Sequence, residues 1–179
     1  MFFTDPDRVP DPVRVAERLP RGAGVVYRAF GAADAVSEGG RLARVCRRRG
    51  LVLFVGADPR LAARLGAAGV HLPQRLSGRA GTIRALRQRY LVTAAVHDLA
   101  SALTARRAGA EALVVSPVFA SRSPSAGRPL GPRALAALIR EAGAPAYALG
   151  GVNARTVGAL ARTGALGVAA VEALVEGGA

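Results

Sequence analysis

The sequence has no lysine; all 25 of its basic residues are arginine. Any site that needs a positive charge must therefore use a planar, permanently charged guanidinium instead of a point-charge ammonium. Tryptophan is also absent and aromatics make up only 4% of the chain, so alanine, leucine and valine must fill the interior. The single cysteine, Cys46, excludes an internal disulfide and points to a reducing cytoplasm. No apolar run approaches the roughly 18–20 residues of a membrane-spanning helix. The opening "MFFTDPDRVP" lacks a basic leader region, so no signal peptide is expected. There is no acid between Glu111 and Glu141.

What is present is 179 residues, 51% apolar, with a formal net charge of +13. That length suits one compact domain spanning 1–179. The charge favours anionic ligands, phosphorylated small molecules among them, and would support nonspecific attraction to nucleic acid. The arginines, however, are spread over predicted helices at Arg41, Arg44, Arg47, Arg48, Arg49, Arg84, Arg87, Arg89, Arg106 and Arg107. Such spacing reads as a solvated outer face. With no aromatic interleaving and no base-reading motif, a basic nucleic-acid-binding domain is the disfavoured alternative. The sequence leaves a homo-oligomer open.

One local pattern recurs: an arginine-bearing helix ends at glycine and a short apolar strand follows. It is visible at Gly66, Gly109 and Gly164, where glycine suits the left-handed position that closes a helix. The strands are apolar on consecutive positions, as parallel strands buried on both faces are. Strands are expected at 1–4, 24–30, 51–56, 69–72, 91–97, 112–119, 146–150 and 167–171. Helices are expected at 12–18, 33–48, 59–65, 79–88, 99–107, 132–142 and 154–163, with a short last one at 172–176. Eight alternations in one domain predict an α/β fold, a small (β/α)8 TIM barrel. An open doubly wound sheet is the weaker alternative, because no GxGxxG opens a helix after the first strand.

In such a barrel the chemistry collects where strands hand over to helices. The junctions hold Asp5, Arg28, Asp58, His71, His97-Asp98, the 116–128 segment, Gly150-Gly151 and Val171-Glu172. The 116–128 segment joins hydroxyls, guanidinium groups and flexible backbone without an acid, which is the chemistry of an anion clamp. His71 reads as a barrel-interior packing residue, and Cys46 as an unreactive helix residue.

The stretches "GVHLPQ", "SPVFASRSP", "PLGPRALAAL", "PAYALGGVNARTV" and "GALGVAAVEAL" together resemble the thiamin phosphate synthase family, including its thiazole tautomerase relatives. The resemblance runs from "FFTD" to the C-terminus and is strongest over 109–174. It implies a (β/α)8 barrel that couples a hydroxymethylpyrimidine pyrophosphate to a thiazole phosphate, releasing pyrophosphate. It further implies that magnesium and basic groups stabilise the leaving group. By the same resemblance Arg28 faces pyrophosphate, Asp58 is a magnesium ligand and His97 lies in the catalytic site. Ser121 and Ser123 supply hydroxyls, and Gly150, Gly151 and the backbone at Val171-Glu172 bind phosphate. Arg122 or Arg128 stands in for a lysine.

Several positions depart from the family pattern. Phe30 and Pro124 stand where it has lysines, Ala57 where it has asparagine and Leu76 where it has a second aspartate. Ala95 and Glu172 replace serines. The alternative within the family is a non-coupling member that binds or isomerises a thiazole phosphate. The tautomerase histidine, though, would fall at Pro117.

Overall fold

Eight short strands alternate with helices along the chain in the computed structural model, which describes residues 1–121 and 127–172. The strands are β1 (Phe2–Phe3), β2 (Gly24–Tyr27), β3 (Val52–Gly56), β4 (Gly69–Leu72), β5 (Leu91–Val96), β6 (Ala112–Val115), β7 (Ala146–Ala148) and β8 (Gly167–Val168). They belong to one sheet whose strand order is the sequence order, and every recorded pairing is parallel. This is the alternation expected of a (β/α)8 fold. The helices are α1 (Pro12–Ala16), α2 (Ala35–Arg49), α3 (Pro59–Leu65), α4 (Ala80–Leu86), α5 (Leu99–Arg107) and α6 (Gly131–Ala142). Among the described residues no helix is long and apolar enough to cross a membrane.

The described residues fall into two compact units, Met1–His71 with Val171 and Glu172, and Leu72–Ala170. In the first, β2, β3 and β4 are buried at nearly every position, with Val25, Val26, Val55 and Val70 fully inaccessible. Burial on both faces explains why these strands read as continuous apolar runs. Asp11 and Asp58 cap α1 and α3, each followed by a proline whose fixed φ suits the first turn. Gly50 and Gly66 close α2 and α3 in the left-handed conformation. In the second unit, Asp98 and Ser101 form a capping box that starts α5.

The arginines of the outer helices are more than a solvated face. Arg47 and Arg49 of α2 donate to the carbonyls of Leu65 and Leu19 in the first unit. In the second unit Arg106 of α5 donates to the carbonyl of Ala142 at the end of α6. Each satisfies a carbonyl at or near a helix C-terminus that has no partner within its own helix.

Several boundaries differ from the sequence expectation; β2 ends at Tyr27, short of 30, and β8 at Val168, short of 171. Regular strand ends at Val115, short of 119, although Val118 N–H and Phe119 N–H still donate to the carbonyls of Leu149 and Gly150. The expected helix at 154–163 is only a short 3-10 turn, Val157–Leu160, between other turns. Thr156 Oγ1 donates to the carbonyls of Gly151 and Asn153, and Asn153 Oδ1 accepts from Arg155 N–H. These side chains bond to backbone that a regular helix would use itself. A further short turn, Gln74–Arg79, precedes α4. The last expected helix lies mostly outside the described residues.

Candidate active site

The parallel register gathers the strand C-termini of each unit. In the first unit, Phe3 lies opposite Val26, Tyr27 opposite Val55 and Gly56 opposite His71. The residues just beyond, Thr4, Asp5, Arg28 and Ala57, are thereby brought together. Arg28 is held from several sides. Its backbone N–H donates to Thr4 Oγ1 at 2.9 Å and its Nε to the Thr4 carbonyl at 2.6 Å. Its Nη2 donates to Asp5 Oδ2 at 3.2 Å. The guanidinium carbon lies 5.8 Å from the Phe3 ring centre and 5.0 Å from that of Phe30, within cation–π range. Nη1 has no partner among the described residues. Burial lowers the Arg28 pKa from its ordinary value, while Asp5 opposes the shift.

Asp5 Oδ2 also accepts from Arg8 Nη2 at 2.9 Å and Arg8 Nε at 3.1 Å. Partial burial works to raise the Asp5 pKa. Hydrogen bonding and charge from Arg8, with the charge of Arg28, outweigh it and hold the carboxyl below its usual value. Glu172 Oε1 stands 3.9 Å from Arg8 Nε. Arg8 was not singled out in the sequence. Its signal was a basic residue three positions after the acid of a strand–helix junction. The backbone turn there, with Arg8 N–H and Val9 N–H both donating to the Asp5 carbonyl, folds the guanidinium back over the carboxylate.

His71 is buried and packs edge-on to Phe3 at 5.0 Å. Burial, then the charge of Arg28, pushes its pKa down to about 3, so the ring is neutral near pH 7. Asp58 Oδ1 accepts from Arg60 N–H and Leu61 N–H at 2.8 and 2.9 Å, the geometry of a helix cap. Ala57, in the position of the family asparagine, holds a left-handed backbone with φ 62°. No group of three or more His, Cys, Asp or Glu side chains suited to a metal occurs among the described residues. Asp58, exposed and with Oδ2 outside the cap, fits a metal only as one ligand among waters and substrate oxygens.

In the second unit, Val96 lies opposite Val115 and Val115 opposite Ala148, which brings together His97, Ser116 and the segment that follows Ala148. His97 is exposed, with Nδ1 in hydrogen-bond contact with the Ser116 carbonyl. A carbonyl only accepts, so Nδ1 is the donor and Nε2 is the ring nitrogen left outside this contact. Ser116 Oγ lies 3.5 Å from Nδ1. Gly150 and Gly151 have φ of 91° and 64°. A Cβ on Gly150 would stand 2.8 Å from Pro117 Cα, and one on Gly151 would stand 2.3 Å from the Ala120 carbonyl oxygen. Close backbone approach therefore requires both glycines. Neither Gly150 N–H nor Gly151 N–H has a partner among the described residues, so two consecutive amides remain for an anion. Gln74 Oε1 is buried without a partner among the described residues. Arg128 is exposed and Ser121 half-buried. Arg122, Ser123 and Pro124 lie outside the described residues.

Comparison with known proteins bears directly on this arrangement. The thiamine monophosphate synthase family profile matches residues 2–174. The chain belongs to this family. It is 36% identical to the thiamine-phosphate synthase of Methylococcus capsulatus, over 97% of this chain and 81% of that protein. It is 33% identical to the thiamine-phosphate synthase of Alcanivorax borkumensis, over 96% of this chain and 82% of the other. A solved structure of thiamine phosphate pyrophosphorylase from Pyrococcus furiosus superposes with a TM-score of 0.80 at 24% identity, covering 95% of this chain and 83% of that one. The fold of this thiamine monophosphate synthase family member is accordingly α/β, of the (β/α)8 barrel class.

Proposed function

We propose that the protein is a thiamin phosphate synthase, working as one domain, that couples a hydroxymethylpyrimidine pyrophosphate to a thiazole phosphate. The 36% identity to a thiamine-phosphate synthase, over 97% of this chain and 81% of that protein, carries this reading. In the reaction, the bond between the pyrimidine methylene carbon and the diphosphate oxygen breaks, and its electron pair leaves with pyrophosphate. The thiazole nitrogen then forms the new carbon–nitrogen bond with its lone pair. Charge develops on the departing oxygens, and a preformed cationic site lowers the barrier by stabilising it.

Arg28 suits that task because its guanidinium is already oriented by Thr4 and Asp5 and keeps Nη1 for the ligand. Asp58 would hold a magnesium ion carried in with the diphosphate, which supplies further stabilisation of the leaving oxygens. Ser121 and Arg128 contact phosphate oxygens. The N–H groups of Gly150 and Gly151 bind the thiazole phosphate. His97 offers Nε2 to the bound heterocycle as a hydrogen-bond acceptor.

The test is thiamin phosphate formation from the two substrates as magnesium is varied. Product that rises with magnesium supports the reading; none above a no-enzyme control sinks it. A second reading, a phosphate-binding family member that does not couple, is favoured by one observation. The lysine position after β2 holds Phe30, which is 66% exposed and adds no charge. Thermal stabilisation by thiazole phosphate without turnover would identify it, since a ligand that binds only the folded state raises its stability.

A further inference from the structure

We infer that Arg8 is the second cation of the diphosphate site, and that Glu172 is an internal anion which a bound phosphate displaces from it. The inference deepens the synthase reading and rests on it for the identity of the ligand.

Two guanidinium groups and two carboxylates meet here. Arg8 and Arg28 share one oxygen, Asp5 Oδ2, through three N–H contacts of 2.9, 3.1 and 3.2 Å. One carboxylate thus orients two guanidinium groups and leaves one positive charge unbalanced. Glu172 supplies the compensating negative charge at 3.9 Å from Arg8 Nε. That distance is within ion-pair range but beyond hydrogen-bond reach. The four side chains are 15–31% exposed, so their charges interact more strongly than fully solvated ones would. The two carboxylates are not equivalent. Asp5 is the more buried and makes short bonds to both arginines; Glu172 is the more exposed and makes the longer contact. An incoming anion exchanges with Glu172 and leaves Asp5 in place as the spacer.

Arg8 also restores a charge that the sequence has lost. The family pattern pairs arginine with lysine after β2, and here Phe30 occupies the lysine position. Phe30 covers one side of Arg28 with its ring and contributes no donor. Arg8 reaches the same carboxylate from the β1–α1 connection. Among the described residues neither its Nη1 nor that of Arg28 has a partner. Two guanidinium groups on one carboxylate match the multiple oxygens of a diphosphate, which accept from planar donors in pairs.

Inorganic pyrophosphate titrated calorimetrically into the full chain at low salt provides the test. Arg8→Met weakens binding roughly tenfold or more, as loss of a charged hydrogen-bond donor does. Glu172→Gln tightens it by about threefold or more, because a like charge is removed from the ligand's vicinity. The sign of the second effect is decisive: an ion pair with only a structural role would lower the melting temperature when broken and would not tighten binding. Unchanged or weaker affinity in Glu172→Gln overturns the inference, as does full affinity in Arg8→Met or no pyrophosphate binding by the parent protein. Pyrophosphate binding with both expected responses but no thiamin phosphate formed would sink the synthase reading and leave this inference standing. Synthase activity with affinity indifferent to both substitutions would do the reverse.

Discussion

Gly151→Ala separates backbone architecture from ligand binding at the end of β7. At φ 64° an alanine pays for the left-handed conformation, about 1–2 kcal/mol. Its Cβ would also stand 2.3 Å from the Ala120 carbonyl oxygen, 2.7 Å from Phe119 Cβ and 2.9 Å from Phe119 C. Two of these three atoms are backbone, and the segment is pinned by Phe119 N–H donating to the Gly150 carbonyl at 2.9 Å. Relief requires moving that segment, and overpacking of this kind costs about 1–3 kcal/mol. The expected total is about 2–5 kcal/mol. Gly164→Ala is the control in the same unit. Its φ is 78°, but the nearest atom to an added Cβ is Ile139 Cγ2 at 3.8 Å, so only the conformational term, about 1–2 kcal/mol, applies. Equilibrium urea unfolding of both variants reads the difference directly. If the two cost the same within about 0.5 kcal/mol, the close approach at Gly151 does not constrain the fold and the reasoning is refuted.

Other substitutions test single contacts. Asp58→Ala should cost about 1 kcal/mol through loss of the α3 cap, whereas Asp58→Asn keeps most of the cap; if only the charge matters for magnesium, both lose magnesium-dependent turnover but only the alanine loses stability. Ala57→Asn should be neutral or stabilising by up to about 1 kcal/mol in urea unfolding, since asparagine tolerates φ 62° better than alanine; a clear loss would contradict the left-handed assignment. His97→Asn preserves a donor for the Ser116 carbonyl but lacks Nε2, and should lower kcat/KM about tenfold through loss of a hydrogen bond to the heterocycle; a near-parental kcat/KM removes His97 from substrate contact. His71 makes stability depend on pH. Its folded pKa of about 3 lies below the ordinary 6.5, so between these values the unfolded chain binds a proton the folded one does not. This contribution is complete above pH 6.5 and falls on acidification by about 1.4 kcal/mol per pH unit. Urea unfolding of the parent and His71→Gln between pH 4 and 7 should show that slope only in the parent.

The fold was legible because its strands are buried on both faces and therefore apolar without interruption, as in "VLFVG" and "ALVV". The helix start at Asp58 is legible for a local reason, a side-chain oxygen next to N–H groups that need an acceptor. The region after Asn153 was misread as a helix because its side-chain-to-backbone bonds leave no trace in apolar periodicity. Candidate site residues can be placed at strand ends from pattern alone, but the contacts of Arg8 with Asp5 and Glu172 cannot. In the sequence Glu172 reads only as an acid in place of a serine; its contact with Arg8, 164 positions earlier, depends on tertiary geometry. Asp58 matched a metal-ligand position, yet the cap to Arg60 and Leu61 is the contact the fold itself provides.

The bonds from Arg47, Arg49 and Arg106 to carbonyls near helix ends have a consequence in alkaline solution. Lysine in these roles would shed its proton near pH 10 and cease to be a cation, loosening each connection as the medium became more basic. A guanidinium does not deprotonate in that range. In each unit the outer helices are thus joined by contacts that a lysine substitution would make sensitive to base.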